Sequence, residues 1–100
     1  MSVYSASKHA VVGLTKAVAK EVGGKNRGVR VNCVAPGATN TPMLNKIEDS
    51  APGGEVNFDH LPLQRKGDPK EVAQVIAFLL SDESTYVTGS VYSVDSGECA

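Results

Sequence analysis

The stretch Tyr4-Ser5-Ala6-Ser7-Lys8 places a phenol and an ammonium four residues apart. Positions i and i+4 share one face of an α-helix, with Cβ atoms about 5–6 Å apart. A cation at that distance favours the ionised phenol, which makes Tyr4 a candidate general base and Lys8 its electrostatic partner. Two ordinary surface residues of an amphipathic helix would have the same spacing. The rest of the sequence is therefore needed to decide whether Tyr4 and Lys8 are catalytic or only structural.

A long amphipathic helix is predicted from about Val3 to Val22, and Gly23-Gly24 predicts its end in the left-handed conformation. A glycine inside a helix costs about 1 kcal/mol relative to alanine, so we expect another backbone to approach closely near Gly13. The apolar residues that recur at helical spacing are Val11, Leu14, Val18 and Val22.

A strand is predicted over Val29–Ala35, because this run is short, rich in β-branched residues and closed by Pro36. We expect the strand to be buried along most of its length. A helix followed at once by such a strand is half of a βαβ unit, which predicts a parallel sheet. The loop from Pro36 to Pro42 then lies just past the carboxyl end of the strand, where open parallel sheets bind ligands.

Thr41 followed by Pro42 predicts the start of a short helix over Met43, Leu44 and Ile47. The helical pattern breaks from Asp49 to Gly54. From there to Gly67 the sequence has no apolar period. A mobile lid or substrate loop and an ordinary surface excursion both fit this stretch.

A second long helix is predicted to begin at Asp68-Pro69-Lys70-Glu71, which combines an N-cap aspartate, a first-turn proline and a glutamate three residues on. We expect it to pack on a core and to fray over 81–85. A turn at Thr88-Gly89, a strand around Ser90 to Val94 and a closing turn at Asp95-Ser96-Gly97 follow. The apolar stripe of the helix comprises Val72, Val75, Ile76, Leu79 and Leu80, with Phe78 beside it.

The composition limits the possible partners. A net charge of −1 gives no electrostatic reason to bind nucleic acid or an anionic membrane. Cys33 and Cys99 are interpreted as free thiols of a reducing compartment, and the absence of a signal-peptide core or a membrane-spanning run predicts a cytoplasmic protein. A metal hydrolase using His9 and His60 is an alternative without any ligand spacing to support it.

These elements, in this order, resemble the C-terminal half of the classical short-chain dehydrogenases/reductases over almost the whole chain. The resemblance implies an α/β fold, the C-terminal portion of a Rossmann-like doubly wound parallel sheet, with residues 1–100 as a single partial domain. The substrate loop would lie at about 42–63. The motifs that carry the resemblance are Tyr4-x-x-x-Lys8, Arg30-Val31-Asn32-Cys33-Val34-Ala35-Pro36-Gly37, Thr41-Pro42-Met43, Asp68-Pro69-Lys70-Glu71-Val72-Ala73 and Val94-Asp95-Ser96-Gly97.

The resemblance implies an NAD(P)-dependent oxidoreductase that transfers hydride between nicotinamide and an alcohol or carbonyl substrate. Tyr4 would be the catalytic acid/base. Lys8 would assist Tyr4 and bind the nicotinamide ribose. Thr39 would offer its backbone to the carboxamide. The full set of residues implied to contact NAD or NADP is Tyr4, Lys8, Pro36, Gly37, Thr39 and Thr41.

The resemblance also implies a homo-oligomer that packs through the Tyr4–Val22 helix and through the C-terminal helix and strand. Two family features are missing from the sequence, the Gly-x-x-x-Gly-x-Gly turn and the catalytic serine about a dozen residues before the tyrosine. Ser96 stands where the family more often has glycine. Two alternatives follow: the catalytic-centre half of an oxidoreductase whose N-terminal half lies outside this chain, or a non-catalytic module for subunit assembly or protein interaction.

The isolated chain is expected to be inactive and to bind no dinucleotide tightly. Its two strands do not make a finished parallel sheet, and Val29–Ala35 would expose an unpaired edge that invites association. We therefore expect an aggregated, oligomeric or loosely packed chain. Size-exclusion chromatography and a nicotinamide titration check this, and a protected monomer that binds NAD(H) or NADP(H) at micromolar concentration would contradict it.

Overall fold

The computed structural model of the protein describes residues 1–25, 28–51 and 56–99. Within these ranges the fold is α/β, as predicted. Residues 52–55, part of the predicted break after the short helix, lie outside the described residues. In chain order the elements are α1 (Ser2–Lys25), β1 (Cys33–Pro36), α2 (Pro42–Ser50), α3 (Pro69–Leu80), a 3-10 helix (Asp82–Ser84) and β2 (Val91–Val94).

The chain divides into two compact units. The first unit contains Met1–Val34 and Ala77–Tyr92, and the second unit contains Ala35–Ile76 and Ser93–Ala100.

β1 and β2 are hydrogen-bonded neighbours in a parallel pair, which confirms the predicted parallel sheet. The Cys33 N–H donates to the Ser90 carbonyl at 2.9 Å, and the Gly37 N–H donates to the Val94 carbonyl at 3.0 Å. The predicted burial of the strand is wrong. Every residue of β1 before Pro36 is half-buried and Pro36 is exposed, because β2 is its one hydrogen-bonded neighbour among the described residues.

The predicted strand Val29–Ala35 began too early, because side chains make most of the hydrogen bonds before β1, where the Gly89 N–H donates to the Val31 carbonyl at 2.7 Å but no regular ladder forms among the described residues. Asn32 Nδ2 donates to the Val87 carbonyl at 2.9 Å, and Asn32 Oδ1 accepts from the Ser90 N–H at 3.1 Å. The Arg30 guanidinium also donates to the Val87 carbonyl, at 3.2 Å. These polar side chains hold the stretch in place without extending the regular ladder.

The predicted end of α1 at Gly23-Gly24 is wrong, since the helix continues to Lys25. Glycine adopts helical as well as left-handed dihedral angles, and neither of these two glycines has a positive φ. The first glycine with a left-handed conformation is Gly28, three residues after the end of α1, with φ +86°.

The buried side of α1 is narrower than its apolar residues predict. Thr15 and Ala19 are buried, whereas Val11 and Leu14 are 50% and 65% exposed. The close approach expected near Gly13 is absent, since a Cβ built there meets no described atom within 4 Å. The Ala19 Cβ packs near Gly89 instead, at 3.5 Å from a Cβ built on that glycine, which is an ordinary van der Waals distance.

α3 starts as predicted, with a reciprocal capping box. The Asp68 carboxylate accepts from the Lys70 N–H at 2.9 Å, and the Glu71 carboxylate accepts from the Asp68 N–H at 3.1 Å. The predicted packing of its apolar stripe holds in part. Leu79 is buried and Val72 and Val75 are half-buried, but Ile76 and Leu80 are exposed among the described residues.

The predicted fraying after α3 is also wrong. The chain forms a 3-10 helix over Asp82–Ser84, and Ser81 Oγ caps it by accepting from the Glu83 N–H at 3.2 Å. Ser84 is 1% exposed, and its hydroxyl lies 2.9 Å from the Leu79 carbonyl oxygen. A buried, hydrogen-bonded serine fixes this end of the helix.

Acid should weaken the start of α3 through Glu71. The Arg65 guanidinium, together with the Asp68 N–H, lowers the pKa of Glu71 to about 2 from its ordinary value of 4.5. Because the folded pKa is the lower one, the stabilisation is complete above pH 4.5 and is lost as the pH falls towards 2. Urea unfolding of the full-length protein between pH 2 and 7 measures this loss.

Glu71→Gln should flatten that part of the stability profile, whereas Glu83→Gln, at an exposed position without an ion pair among the described residues, should leave it unchanged. An acid slope that is the same in both variants and the parent protein would contradict the role of the Arg65–Glu71 pair.

Candidate functional site

Tyr4 and Lys8 lie one turn apart on the exposed N-terminal part of α1, in the first unit. Lys8 Nζ lies 5.3 Å from the centroid of the Tyr4 ring. The helical spacing thus brings the two side chains together as predicted, with the ammonium over the face of the ring. A cation–π contact at an exposed site is worth about 0.5–1 kcal/mol, so a bound anionic or hydroxyl group can replace it.

Gly37 follows β1 at a point where the chain leaves no room for a side chain. A Cβ on Gly37 would lie 2.7 Å from the Asp95 Cβ and 2.8 Å from the Asp95 Cα. The resemblance implies a cofactor contact for Gly37, and the structure adds that the carboxyl ends of the two strands approach each other here. Only glycine permits this approach.

The backbone on either side of Thr39 is fixed by Gly67. The Gly67 N–H donates to the Ala38 carbonyl and the Asn40 N–H donates to the Gly67 carbonyl, both at 2.8 Å. The N–H and carbonyl of Thr39 itself point away from this bridge and have no hydrogen-bond partner among the described residues. Thr39 Oγ1 donates to the Gly37 carbonyl at 2.9 Å, which fixes the loop from within.

Thr41 is the N-cap of α2, as predicted, and its Oγ1 accepts from the Leu44 N–H at 3.3 Å. A hydroxyl that accepts a cap hydrogen bond keeps its own hydrogen for donation to a ligand oxygen. The predicted break at Asp49 is wrong, since α2 continues to Ser50. Pro36, the last of the residues implied to contact the cofactor, is exposed at the end of β1.

A cavity of about 460 Å³ lies within the second unit, beside the loop that carries Thr39. Two of its polar side chains, Arg65 and Ser96, are already paired. The Arg65 guanidinium donates to both oxygens of Glu71, at 2.7 and 3.0 Å. Ser96 Oγ accepts from the Leu63 N–H at 2.9 Å. Thr39 is itself part of the lining, and the apolar part of the lining includes Ala38, Pro62, Val72 and Val94.

Sequence reasoning assigned no role to Arg65 or to the Ser96 hydroxyl. The partners of both lie outside any regular period, so no local pattern indicated them. Ser96 adopts a left-handed conformation with φ +59°, which explains why glycine suits this position. Its hydrogen bond to Leu63 is a contact that glycine cannot make.

The predicted site residues fall into two groups. The first unit contributes Tyr4 and Lys8, and the second contributes Pro36, Gly37, Thr39 and Thr41. In the described ranges, no three His, Cys, Asp or Glu side chains are placed to share a metal ion. No helix in the described part of the chain has the length and hydropathy to cross a membrane.

Comparison with known proteins decides the family. A family model described as enoyl-(acyl carrier protein) reductase matches residues 1–98. The chain belongs to the short-chain dehydrogenase/reductase family. The resemblance inferred from the motifs is thereby confirmed.

Two curated relatives illustrate the similarity. This short-chain dehydrogenase/reductase chain is 51% identical over 98 residues to the short-chain dehydrogenase/reductase aba4 of Botryotinia fuckeliana. It is 53% identical over 94 residues to the 3-oxoacyl-(acyl-carrier-protein) reductase FabG of Thermotoga maritima. Each match covers 94% of this chain but 37% of the relative, so the chain spans little more than a third of their length.

Solved structures of the family share the fold of this chain. The aldohexose dehydrogenase of Thermoplasma acidophilum, in ligand-free form, matches with a TM-score of 0.86 at 36% identity, covering 98% of this chain and 41% of that one. A 4-hydroxyisoleucine dehydrogenase complexed with NADH matches with a TM-score of 0.75 at 35% identity, covering 97% and 38%. The predicted Rossmann-like fold class is confirmed.

Gly37→Ala should destabilise the protein that contains this chain by about 1–3 kcal/mol, because the added methyl group collides with backbone rather than with a movable side chain. Gly67→Ala is the matched control, since its Cβ would lie 3.7 Å from the Ala38 carbonyl oxygen, an ordinary contact. Urea unfolding of both variants measures the difference. Equal stabilities would show that the strand ends separate without cost.

Proposed function

We propose that this chain belongs to an NAD(P)-dependent oxidoreductase that transfers hydride between the nicotinamide ring and an alcohol or carbonyl group. The observation that carries the proposal is the backbone of Thr39, whose N–H and carbonyl are unpaired among the described residues although the peptide groups on both sides are fixed. The Thr39 N–H is a free donor and the Thr39 carbonyl a free acceptor among the described residues. A loop held in this way can bind a ligand that has both an acceptor and a donor.

A nicotinamide carboxamide has this character, because its NH₂ group donates and its carbonyl accepts. The Thr39 N–H and carbonyl are therefore proposed to hold the carboxamide, and the Thr41 hydroxyl to donate to it or to the pyrophosphate. The loop lies at the carboxyl end of β1, where open α/β sheets bind ligands. The NADH complex of the related 4-hydroxyisoleucine dehydrogenase supports the cofactor class.

Tyr4 is proposed as the acid/base of the reaction. Its hydroxyl would give a proton to the oxygen of a carbonyl substrate, and in the opposite direction its phenolate would take one from an alcohol. Lys8 would leave the ring face of Tyr4, stabilise the phenolate electrostatically and donate to the nicotinamide ribose. The cofactor, when bound, supplies or accepts the hydride.

The substrate is proposed to be a small molecule with an alcohol or carbonyl group, in line with the dehydrogenase and reductase names of the relatives. Assembly into a homo-oligomer through α1 and the C-terminal elements remains part of the proposal. The exposed Val11 and Leu14 of α1 offer apolar surface for it. A non-catalytic assembly module is not favoured by the family match.

A chimera tests the catalytic assignment. This chain replaces the matching third of the Thermotoga maritima reductase, to which it is 53% identical, and nicotinamide-dependent reduction of a 3-oxoacyl substrate is measured. Tyr4→Phe should lower turnover by about a hundred- to ten-thousand-fold, because the proton-transfer group is lost. Cofactor affinity should change little.

Tyr86→Phe is the matched control, since Tyr86 is fully exposed and should tolerate loss of its hydroxyl without effect. Near-normal turnover of the Tyr4→Phe chimera would falsify the role of Tyr4.

Lys8→Met should lower both turnover and cofactor affinity, and a variant that keeps both would reduce Lys8 to a surface residue of α1.

A further inference from the structure

One ion pair joins α2 to the segment that precedes α3 in the second unit. Lys66 Nζ lies 3.0 and 3.1 Å from the two carboxylate oxygens of Glu48. The two side chains are 30% and 20% exposed. Partial burial and contact with both oxygens distinguish this pair from the fully exposed ion pairs that water and salt screen almost completely.

The position of Glu48 explains why a cation from outside the helix stabilises α2. The last turn of α2 contains Glu48 and Asp49 and no basic residue. Carboxylates near the negative end of a helix are unfavourable, and a cation there is favourable. Lys66 provides the positive charge from the neighbouring segment.

α2 has one anchored side and one open side. Leu44 and Glu48, four residues apart, are half-buried. Met43 and Ile47, also four residues apart, are 73% and 56% exposed. The ion pair lies on the anchored side, so it fixes the direction in which the apolar Met43–Ile47 face points.

The segment that binds α2 also binds the loop that carries Thr39. Gly67, directly after Lys66, makes the two 2.8 Å hydrogen bonds on either side of Thr39. The N-cap of α2, Thr41, comes two residues after Thr39. One short segment therefore fixes both the loop and the helix that follows it.

We infer that Lys66 and Glu48 are positioning residues, which orient the Met43–Ile47 face of α2 relative to the Thr39 loop and so set the binding of the apolar part of the substrate. This inference rests on the proposed function for its substrate. The two residues contact neither substrate nor cofactor and act through α2.

Hydrogen exchange of the α2 amides in the full-length protein tests the positioning without any activity measurement. Lys66→Met should speed exchange in α2 on the order of three- to tenfold, because a partly buried charged hydrogen bond is lost. Lys46→Met is the matched control, since it removes the same charge from an exposed residue of α2 itself. The reversed pair Glu48→Lys with Lys66→Glu should restore slow exchange.

Kinetics separate positioning from a general loss of stability. Lys66→Met should raise the KM for the substrate by a similar factor and leave the KM for the nicotinamide cofactor unchanged, since the backbone bonds of Gly67 remain. The charge-reversed double variant should return the substrate KM towards the parent value.

The inference is overturned if α2 exchanges equally fast in the Lys66→Met and Lys46→Met variants, or if both KM values rise together. A parent protein with no nicotinamide-dependent activity would refute the proposed function. In that case the exchange measurement still decides whether the ion pair positions α2.

Discussion

The close approach of Gly37 to Asp95 is the constraint on which the second unit depends. It lets the carboxyl ends of β1 and β2 meet in register, with the Gly37 N–H on the Val94 carbonyl. The loop after Gly37 then leaves the strand at a defined point and reaches Gly67, which fixes the peptide groups around Thr39. The loop is thus held by the backbone contacts of Gly67 together with the hydrogen bond from the Thr39 hydroxyl to the Gly37 carbonyl.

In this arrangement the loop and the helix that follows it are restrained by different contacts. α2 begins at the Thr41 cap, so its start is determined locally, while its far end is determined by the ion pair between Glu48 and Lys66. The loop and the far end of the helix therefore depend on two neighbouring residues of one segment, Gly67 and Lys66. Changes on the open face of α2 can alter what it contacts without moving the backbone of Thr39.

Sequence reasoning succeeded where the signal was local. The cap at Thr41 and the box between Asp68 and Glu71 are formed by residues within three positions of each other, and the structure contains both. The family motifs identified the fold class for the same reason, because each motif is a short contiguous pattern. The helical spacing of Tyr4 and Lys8 was likewise sufficient to place their side chains together.

Long-range contacts set what the sequence could not predict. Asn32 pairs with residues more than fifty positions away, which shortened the strand, and the bond from Leu63 to Ser96 spans 33 positions.

A crystal structure of the full-length protein with NADH or NADPH tests the central claim most directly. We predict the carboxamide within hydrogen-bond distance of the Thr39 N–H and carbonyl. A carboxamide bound elsewhere, with the Thr39 backbone paired to protein, would contradict the account.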